Sequence, residues 1–233
     1  MNAKNGYEII RLDSVGSTND YAKAKRGEGK NLLVIAKSQT GGRGTKGRSF
    51  SSQTGGVYLS VLTFYEDFPA KRAFEVMQHA AAAVCETLSS VGLAPTIKWP
   101  NDIFVGGKKI CGILIENTFD KSKLRSTVVG IGLNICNALP EELKDTATTV
   151  ALELGKEVDF DEVERELLEN LTGERLIKSY ARYLGWVGKQ VKLLVAEQEI
   201  SAKIMGVNER GELLAQTENG EEKFAAAEVS VRF

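Results

Sequence analysis

The sequence has one histidine, three cysteines and almost no imbalance of charge, and each shortage removes a class of protein. His79 stands alone and no Gly-x-Ser-x-Gly is present, which argues against a Ser–His–Asp hydrolase. Cys85, Cys111 and Cys136 are too few and too scattered for a disulfide framework or a zinc cage, and each reads as a small buried hydrophobe. No cluster of histidine, cysteine and carboxylate has metal-ligand spacing. No apolar run approaches a membrane span, and Met1–Gly6 lacks the apolar core of a signal peptide, so a cytoplasmic protein without a membrane partner is expected. Thirty basic residues face thirty-one acidic ones, a formal charge of −1 with no basic stripe, which argues against a nucleic-acid partner.

What remains is an ordinary globular composition on 233 residues, enough for one large domain or a large one with a small one. Tyr7–Leu12 reads as a strand, Ser17–Asp20 as the cap of a helix that Gly27 ends, and Asn31–Lys37 as a buried strand. Ser38–Gly56 is glycine-rich and nearly free of apolar residues, a long loop of the kind that is usually functional or disordered. Val57–Phe64 is strand-like. Ala73–Val91 carries Phe74, Met77, Ala81, Val84, Leu88 and Val91 at helical spacing, a core stripe that leaves His79 at the surface or boundary. A meander follows: Thr96–Lys98, Ile103–Val105, a Gly106-Gly107 hairpin turn, Lys109–Glu116 and Ser126–Ile135, the last two apolar on both faces like central strands. Helices are expected over Leu143–Leu154 and from Asp159 or Asp161 to about Leu184, with Val163, Leu167, Leu171, Tyr180 and Leu184 inward. Beyond Val187 the runs Gln190–Ala196, Glu199–Val207, Glu212–Thr217, Glu222–Ala225 and Glu228–Arg232 read as a small β-barrel appended to an α+β domain, with the boundary near Gly185–Gly188.

Four segments carry polar or glycine residues that a fold alone does not require. Ser38–Arg48 combines glycines, which let backbone N–H groups approach an anion, with Arg43, Lys46 and Arg48; a solvated basic loop explains it equally well, and the P-loop pattern is absent. Lys98-Trp99-Pro100-Asn101-Asp102 is a strand end broken by proline, either a turn with a core tryptophan or polar groups facing a ligand. Lys109 opens a strand so apolar that its ammonium is either partly desolvated beside an anion or snorkels to water. Gly112 in the same strand marks a close approach by a ligand or another backbone. Val128–Ile135 holds Gly130, Gly132 and Asn134, without the third glycine and following helix of a dinucleotide fingerprint. Arginine, lysine, asparagine and backbone amides together suit phosphoryl or nucleotidyl transfer, where the difficulty is developing negative charge.

In this order the segments resemble the biotin protein ligases over nearly the whole chain. Ser17-Thr18-Asn19, the Gly42-Arg43-Gly44 loop, Lys98–Asp102, Lys109 with Gly112–Glu116, and Gly130–Asn134 are each similar to a family motif. The combination of Lys-Trp-Pro-Asn-Asp with a following Lys-x-x-Gly-Ile-Leu is the specific part. The resemblance implies an α+β fold: a catalytic domain like that of class II aminoacyl-tRNA synthetases over residues 1–185, and an SH3-like β-barrel over 186–233. It implies that biotin and MgATP give biotinyl-5′-AMP, and that a lysine of a biotin carboxyl carrier protein domain, in acetyl-CoA carboxylase or a related carboxylase, then attacks it. Ser17, Thr18, Asn19, Gln39, Gly42, Arg43, Gly44, Thr45, Lys109 and Gly112 would bind biotin. Arg43, Arg48, Trp99, Asn101, Lys109 and Asn134 would bind ATP or the adenylate. Lys109 and Arg43 would be catalytic, and Asp102 would position Mg2+ or the incoming amine. Thr45 and Lys46 stand where relatives often have arginines, which predicts faster escape of the adenylate than from a Thr45→Arg variant in a release assay. Only sixteen residues precede Ser17, so no DNA-binding domain, no DNA partner and no repressor function are expected. A homodimer is expected by resemblance only. The rival expectations are a lipoate or octanoyl ligase and a non-catalytic RNA-binding module.

Overall fold

The computed structural model describes the chain except residues 1, 5, 174–178, 196–197, 226–228 and 233. In the first part β1 (Asn2–Lys4), β2 (Tyr7–Leu12), α1 (Thr18–Ala24), β3 (Leu32–Ala36), β4 (Gly56–Pro69) and α2 (Phe74–Ser90) come in order. They are followed by β5 (Thr96–Lys98), β6 (Asp102–Val105), β7 (Lys108–Asp120), β8 (Lys123–Asn134), α3 (Val150–Leu154), α4 (Phe160–Thr172) and α5 (Tyr180–Tyr183). The strands form one eight-stranded sheet in the order β1-β2-β3-β4-β8-β7-β6-β5, antiparallel except for the parallel pair β2–β3. The second part is a five-stranded antiparallel sheet of β9 (Gln190–Val195), β10 (Gln198–Val207), β11 (Leu213–Thr217), β12 (Gly220–Phe224) and β13 (Val229–Arg232), ordered β12-β11-β10-β9-β13, as an SH3-like barrel requires.

The two faces of the large sheet separate by the period of two along its central strands. Leu33, Ile35, Val57, Leu59, Val61, Ile113, Val129, Ile131 and Leu133 point to one face, where Ala81, Val84, Cys85 and Leu88 of α2 and Val163, Leu167 and Leu171 of α4 close over them. Each such side chain, at a few per cent exposure or less, contributes roughly 1.5–3 kcal/mol by leaving water. The residues between them face the other way. There α1 covers a smaller cluster of Ala22, Leu32, Val34, Leu62 and Val128, and beside it lie Ser60, Gly112, Gly130 and Gly132.

Local chemistry sets the boundaries. Ser17 caps α1, its Oγ accepting from Asp20 N at 3.4 Å, and Asp159 caps α4 by accepting from Glu162 N at 3.1 Å. Gly106 and Gly107 both take positive φ, 57° and 82°, which the β6–β7 hairpin turn demands. Helix α1 stops at Ala24, a 3₁₀ turn covers Arg26–Glu28, and Gly29 at φ 68° takes the left-handed cap expected of Gly27. Of the helix expected over Leu143–Leu154 only Val150–Leu154 forms. Lys109 N donates to Thr146 O and Thr148 N to Lys109 O, both at 2.9 Å, so that stretch is spent pairing with β7. The helix from Asp159 ends at Thr172 before an extended Gly173, and Tyr180–Tyr183 is separate; residues 174–178 between them lie outside the described residues, as do Ala196 and Glu228 of the expected strands. His79 is half-buried, its Nε2 3.1 Å from Leu171 O. No helix among the described residues is long and apolar enough to cross a membrane.

Candidate functional site

On the open face of the sheet, register pairs Gly112 of β7 with Gly132 of β8, and Gly132 in turn with Tyr58 of β4. One step along, Gly130 lies between Leu114 and Ser60. Three missing side chains on adjacent positions leave a trench. Its floor is occupied closely: a Cβ on Gly132 would lie 2.5 Å from the Phe50 ring, and one on Gly112 3.1 Å from that ring and 3.2 Å from Lys109 Nζ. A Cβ on Gly130 would lie 2.0 Å from Asn19 Oδ1.

One end of the trench is polar and fully cross-linked. Gln39 Oε1 accepts from Thr18 N at 2.8 Å and Thr18 Oγ1 at 3.0 Å, while its Nε2 donates to Ser52 Oγ at 2.9 Å. Buried Ser60 donates to Asn19 Oδ1 at 2.6 Å, and Asn19 Nδ2 donates to Glu116 Oε2 at 2.9 Å. Glu116 also takes Lys23 Nζ at 2.7 Å. Burial pushes the Glu116 carboxyl upward, but the hydrogen bonds from Lys23 and Asn19 and the Lys23 charge outweigh it and hold the group below its ordinary value. Ser17 is 5 % exposed and serves as the helix cap at the same place.

Near the floor of the trench sits a cation. Lys109 Nζ is 2.7 Å from Asp102 Oδ1 and 5.8 Å from the centre of the Phe50 ring, with its side chain about one third exposed. Asp102 pairs with Gly112 across the β6–β7 ladder, and the residue before it is stitched to the same strand: Asn101 Nδ2 donates to Ile113 O at 2.7 Å, and Ile113 N donates to Asn101 O at 3.1 Å. Trp99–Pro100 is a cis peptide bond. Trp99, expected to bind ATP or the adenylate, turns its side chain to the small sheet. Its indole is 4 % exposed in the apolar core of the small sheet with Val191, Leu193, Ile204 and Leu213, and its Nε1 donates to Gly211 O at 3.0 Å. An amphipathic ring with one donor is well suited to join two cores.

The glycine-rich loop is ordered by its own turns. A Cβ on Gly42 would lie 2.4 Å from Phe50 O and 2.6 Å from Ser52 Oγ, so only glycine fits there. Arg43 is exposed, paired with Asp20 of α1 at 2.7 Å and bridged to Ser49. Gly44 N donates to Arg48 O at 2.6 Å, and the Arg48 guanidinium donates to Thr45 O and Thr45 Oγ1, both at 3.3 Å, so Arg48 closes the Thr45–Gly47 turn. Ser17, Thr18, Asn19, Gln39, Gly42, Lys109 and Gly112 are thus brought to one place, while Arg43 and Arg48 lie on its rim.

Beyond the start of β7 is a cavity of about 630 Å³, lined among others by Lys108, Cys136, Asn137, Thr148, Thr149 and Leu152. Asn134 stands behind its wall, buried, with Nδ2 donating to Thr148 O at 3.1 Å. Burial pushes the Cys85 and Cys111 thiols well above their ordinary value, so neither is a nucleophile. Among the described residues no group of three histidines, cysteines or carboxylates could hold a metal ion. Asp102 is a single carboxylate with one oxygen already on Lys109.

Sequence reasoning missed Ser60, Phe50, Ser52 and Asn137. Ser60 is one polar residue inside the run Val57–Leu62, a signal that an inward hydroxyl must have partners. The others lie in loops, where nothing in the pattern separates a site residue from a solvated one.

Residues 12–134 match the Biotin/lipoate A/B protein ligase family, and residues 187–232 match the biotin protein ligase C terminal domain. The bifunctional ligase/repressor BirA of Bacillus subtilis is 31% identical over 97% of this chain and 74% of its own length. The biotin–[acetyl-CoA-carboxylase] ligase of Mycobacterium tuberculosis is 33% identical over 60% of this chain and 53% of its own. The structure of biotin protein ligase from Aquifex aeolicus in complex with biotin and ATP superposes with a TM-score of 0.75 at 31% identity, covering 97% of this chain and 98% of that one.

Proposed function

Since the chain belongs to the Biotin/lipoate A/B protein ligase family and carries the biotin protein ligase C terminal domain, we propose that it joins biotin to a carrier protein in two steps with ATP. A carboxylate oxygen of biotin attacks the α-phosphorus of MgATP, the bond to pyrophosphate breaks, and biotinyl-5′-AMP forms. The ε-amine of a lysine on a biotin carboxyl carrier domain then attacks the acyl carbon. The bond to AMP breaks and the amine loses its proton.

One observation carries this assignment: a glycine-floored trench has an ammonium at its floor and a set of amide and hydroxyl groups at its end. A bicyclic urea with an aliphatic acid tail needs those features in that order. Gln39, Thr18, Asn19 and Ser60 offer donors and acceptors to the ureido group, with Ser17 holding the helix start beneath them. Gly112, Gly130 and Gly132 leave room for the ring and tail, and Gly42 lets the loop fold over them. The Phe50 ring must leave the floor as the ligand arrives. Lys109 neutralises the carboxylate and then the charge developing on the α-phosphate, which a preorganised ammonium does at no reorganisation cost. Asp102 holds Lys109 and is the carboxylate available to the incoming amine or to the Mg2+ of MgATP. Arg43, from the rim, exchanges Asp20 for the phosphate when the loop closes, carrying Gly44, Thr45 and Arg48 with it. Asn134 and Asn101 act on the nucleotide side, Asn101 through the backbone it fixes.

Carboxylase names among the relatives support a carrier domain of acetyl-CoA carboxylase or a related enzyme as the acceptor. A cytoplasmic location and the absence of a DNA partner belong to the same proposal, as does the division into a ligase domain over 1–185 and a barrel over 186–233. Biotin-dependent pyrophosphate exchange tests it. Wild type should exchange with biotin and not with lipoate or octanoate, and Lys109→Ala should lower the rate by about a hundredfold or more, the size seen when one transition-state donor is removed. A Lys109→Ala variant as fast as wild type would overturn the role of that residue, and exchange driven by lipoate alone would overturn the substrate.

A further inference from the structure

We propose that Glu153 is a positioning residue for Lys109, acting through Thr148 and the backbone of β7. The assignment rests on the ligase activity proposed above and adds a residue to it that lies outside the trench.

Lys109 sits where its strand outruns its neighbour. Cys111 pairs with Leu133, and β8 ends one residue later at Asn134. Ile135, which would come next, gives its carbonyl to Ala151 N of α3 at 2.9 Å instead. On the other side the β6–β7 register slips between Ile103 and Phe104, just where Phe104 meets Lys109. A loop takes the vacated place. Lys109 N donates to Thr146 O and Thr148 N donates to Lys109 O, both at 2.9 Å, with Ala147 bridged to Lys109 in parallel. Both backbone groups of the lysine are therefore held by residues 146–148, and its long flexible stem starts from a point only as fixed as that loop.

Thr148 is the anchor of the loop, 2 % exposed and with each polar group used. Its N is on Lys109, its O accepts from Asn134 Nδ2 at 3.1 Å, and its Oγ1 donates to Glu153 Oε1 at 2.7 Å. Glu153 is itself held in the first turn of α3, where Thr149 is the cap and Glu153 N donates to Thr149 O at 3.1 Å. Its other oxygen abuts the β6–β7 turn: a Cβ on Gly106 would lie 3.0 Å from Glu153 Oε2. One carboxylate thus packs against the turn that precedes Lys109 and bonds the loop that clamps it. A hydrogen bond to a charged acceptor is stronger than one between neutral groups. Without it the Thr148 hydroxyl is buried unpaired, a cost the loop relieves by shifting. That shift carries the Lys109 backbone, and with it the ammonium now 2.7 Å from Asp102, whose value to the reaction lies in being fixed beforehand.

Biotin-dependent pyrophosphate exchange on the intact protein tests this with Glu153→Leu, Glu153→Gln and Thr148→Val. Glu153→Leu and Thr148→Val should each lower kcat about ten- to a hundredfold, as a displacement of about 1 Å does, with KM for ATP within about threefold of wild type. Glu153→Gln keeps an oxygen for Thr148 and should keep most of the rate. In a Lys109→Ala background Glu153→Leu should cost nothing further, because its effect runs through that ammonium. Either Glu153→Leu or Thr148→Val at the wild-type kcat would overturn the inference. So would a raised KM for ATP at unchanged kcat, which would leave Glu153 a part of the cavity wall and no more. The same loss repeated in the Lys109→Ala background would also sink it, since general loosening does not need the lysine. If Glu153→Leu does not fold, Thr148→Val alone decides the matter. Wild type that does not exchange with biotin would instead take down the ligase assignment, and this inference with it.

Discussion

Adjacent residues of β8 live in different worlds. Ile131 is 3 % exposed against α2 and α4, while Gly130 and Gly132, on either side of it in sequence, floor the trench on the opposite face. One face is filled by buried apolar side chains and the other is opened by glycines that lack them. The same strand therefore supplies stability through its odd positions and an opening for ligand through its even ones. Damage to the two faces should accordingly separate into loss of fold and loss of binding.

The largest effect is expected on the filled face. Ile131→Ala leaves a cavity between sheet and helices and should destabilise the protein by about 2–5 kcal/mol. In a domain of this size that is a fall in melting temperature of roughly 5–15 °C. Biotin affinity of the protein that remains folded should stay within about twofold, because no trench residue moves. Calorimetry of both quantities checks the division, and a large loss of affinity at unchanged stability would erase it. Next in size is Gly130→Ala on the opposite face. The new methyl would lie 2.0 Å from Asn19 Oδ1, which Ser60 and Glu116 hold, so Asn19 must give up those bonds or the strand must shift. A cost of about 1–3 kcal/mol follows, with biotin affinity falling at least tenfold. Unchanged affinity would mean that the polar end of the trench does not touch the ligand.

How much of this was legible in the sequence follows from the same contrast. The filled face announces itself: the apolar runs Val57–Leu62 and Val128–Leu133 and the stripe on Phe74–Ser90 are signals that packing requires. Gly112, Gly130 and Gly132 were also readable, since a glycine inside a strand marks a close approach. That they form one trench was not, because register between β7 and β8 is a tertiary fact. The direction of the Trp99 side chain was not legible for a related reason. Its motif sits beside the site in sequence, yet the side chain crosses to the small sheet and bonds Gly211, more than a hundred positions away. The failed helix over Leu143–Leu154 was lost to pairing with Lys109, again a long-range competitor invisible to local propensity.

The smallest effect is at the far end of the trench face, where a charge pair rather than packing or space holds the geometry. Glu116 lies below its ordinary value of 4.5 and Lys23 above its ordinary value of 10.5. For Lys23, burial works against the charged form, but the hydrogen bonds and charges of Asp20 and Glu116 exceed it. The lowered carboxyl stabilises the fold fully above about pH 4.5 and loses that contribution as pH falls through its folded value. The raised ammonium contributes fully below about pH 10.5 and loses its share as pH rises through the folded value. Both side chains keep a quarter to a third of their surface in water, 25 % and 32 %, so the pair is worth only about 0.5–1 kcal/mol. Glu116→Gln keeps an acceptor for Asn19 and removes only the charge. It should therefore be less stable than wild type by that amount at pH 7, with the gap closing as pH drops below 4.5 and shrinking at 1 M salt. Chemical denaturation across pH 3 to 8 measures it. A gap that persists undiminished at pH 3 would show that Glu116 acts through its shape, and that the polar end of the trench, like the filled face, is held by packing.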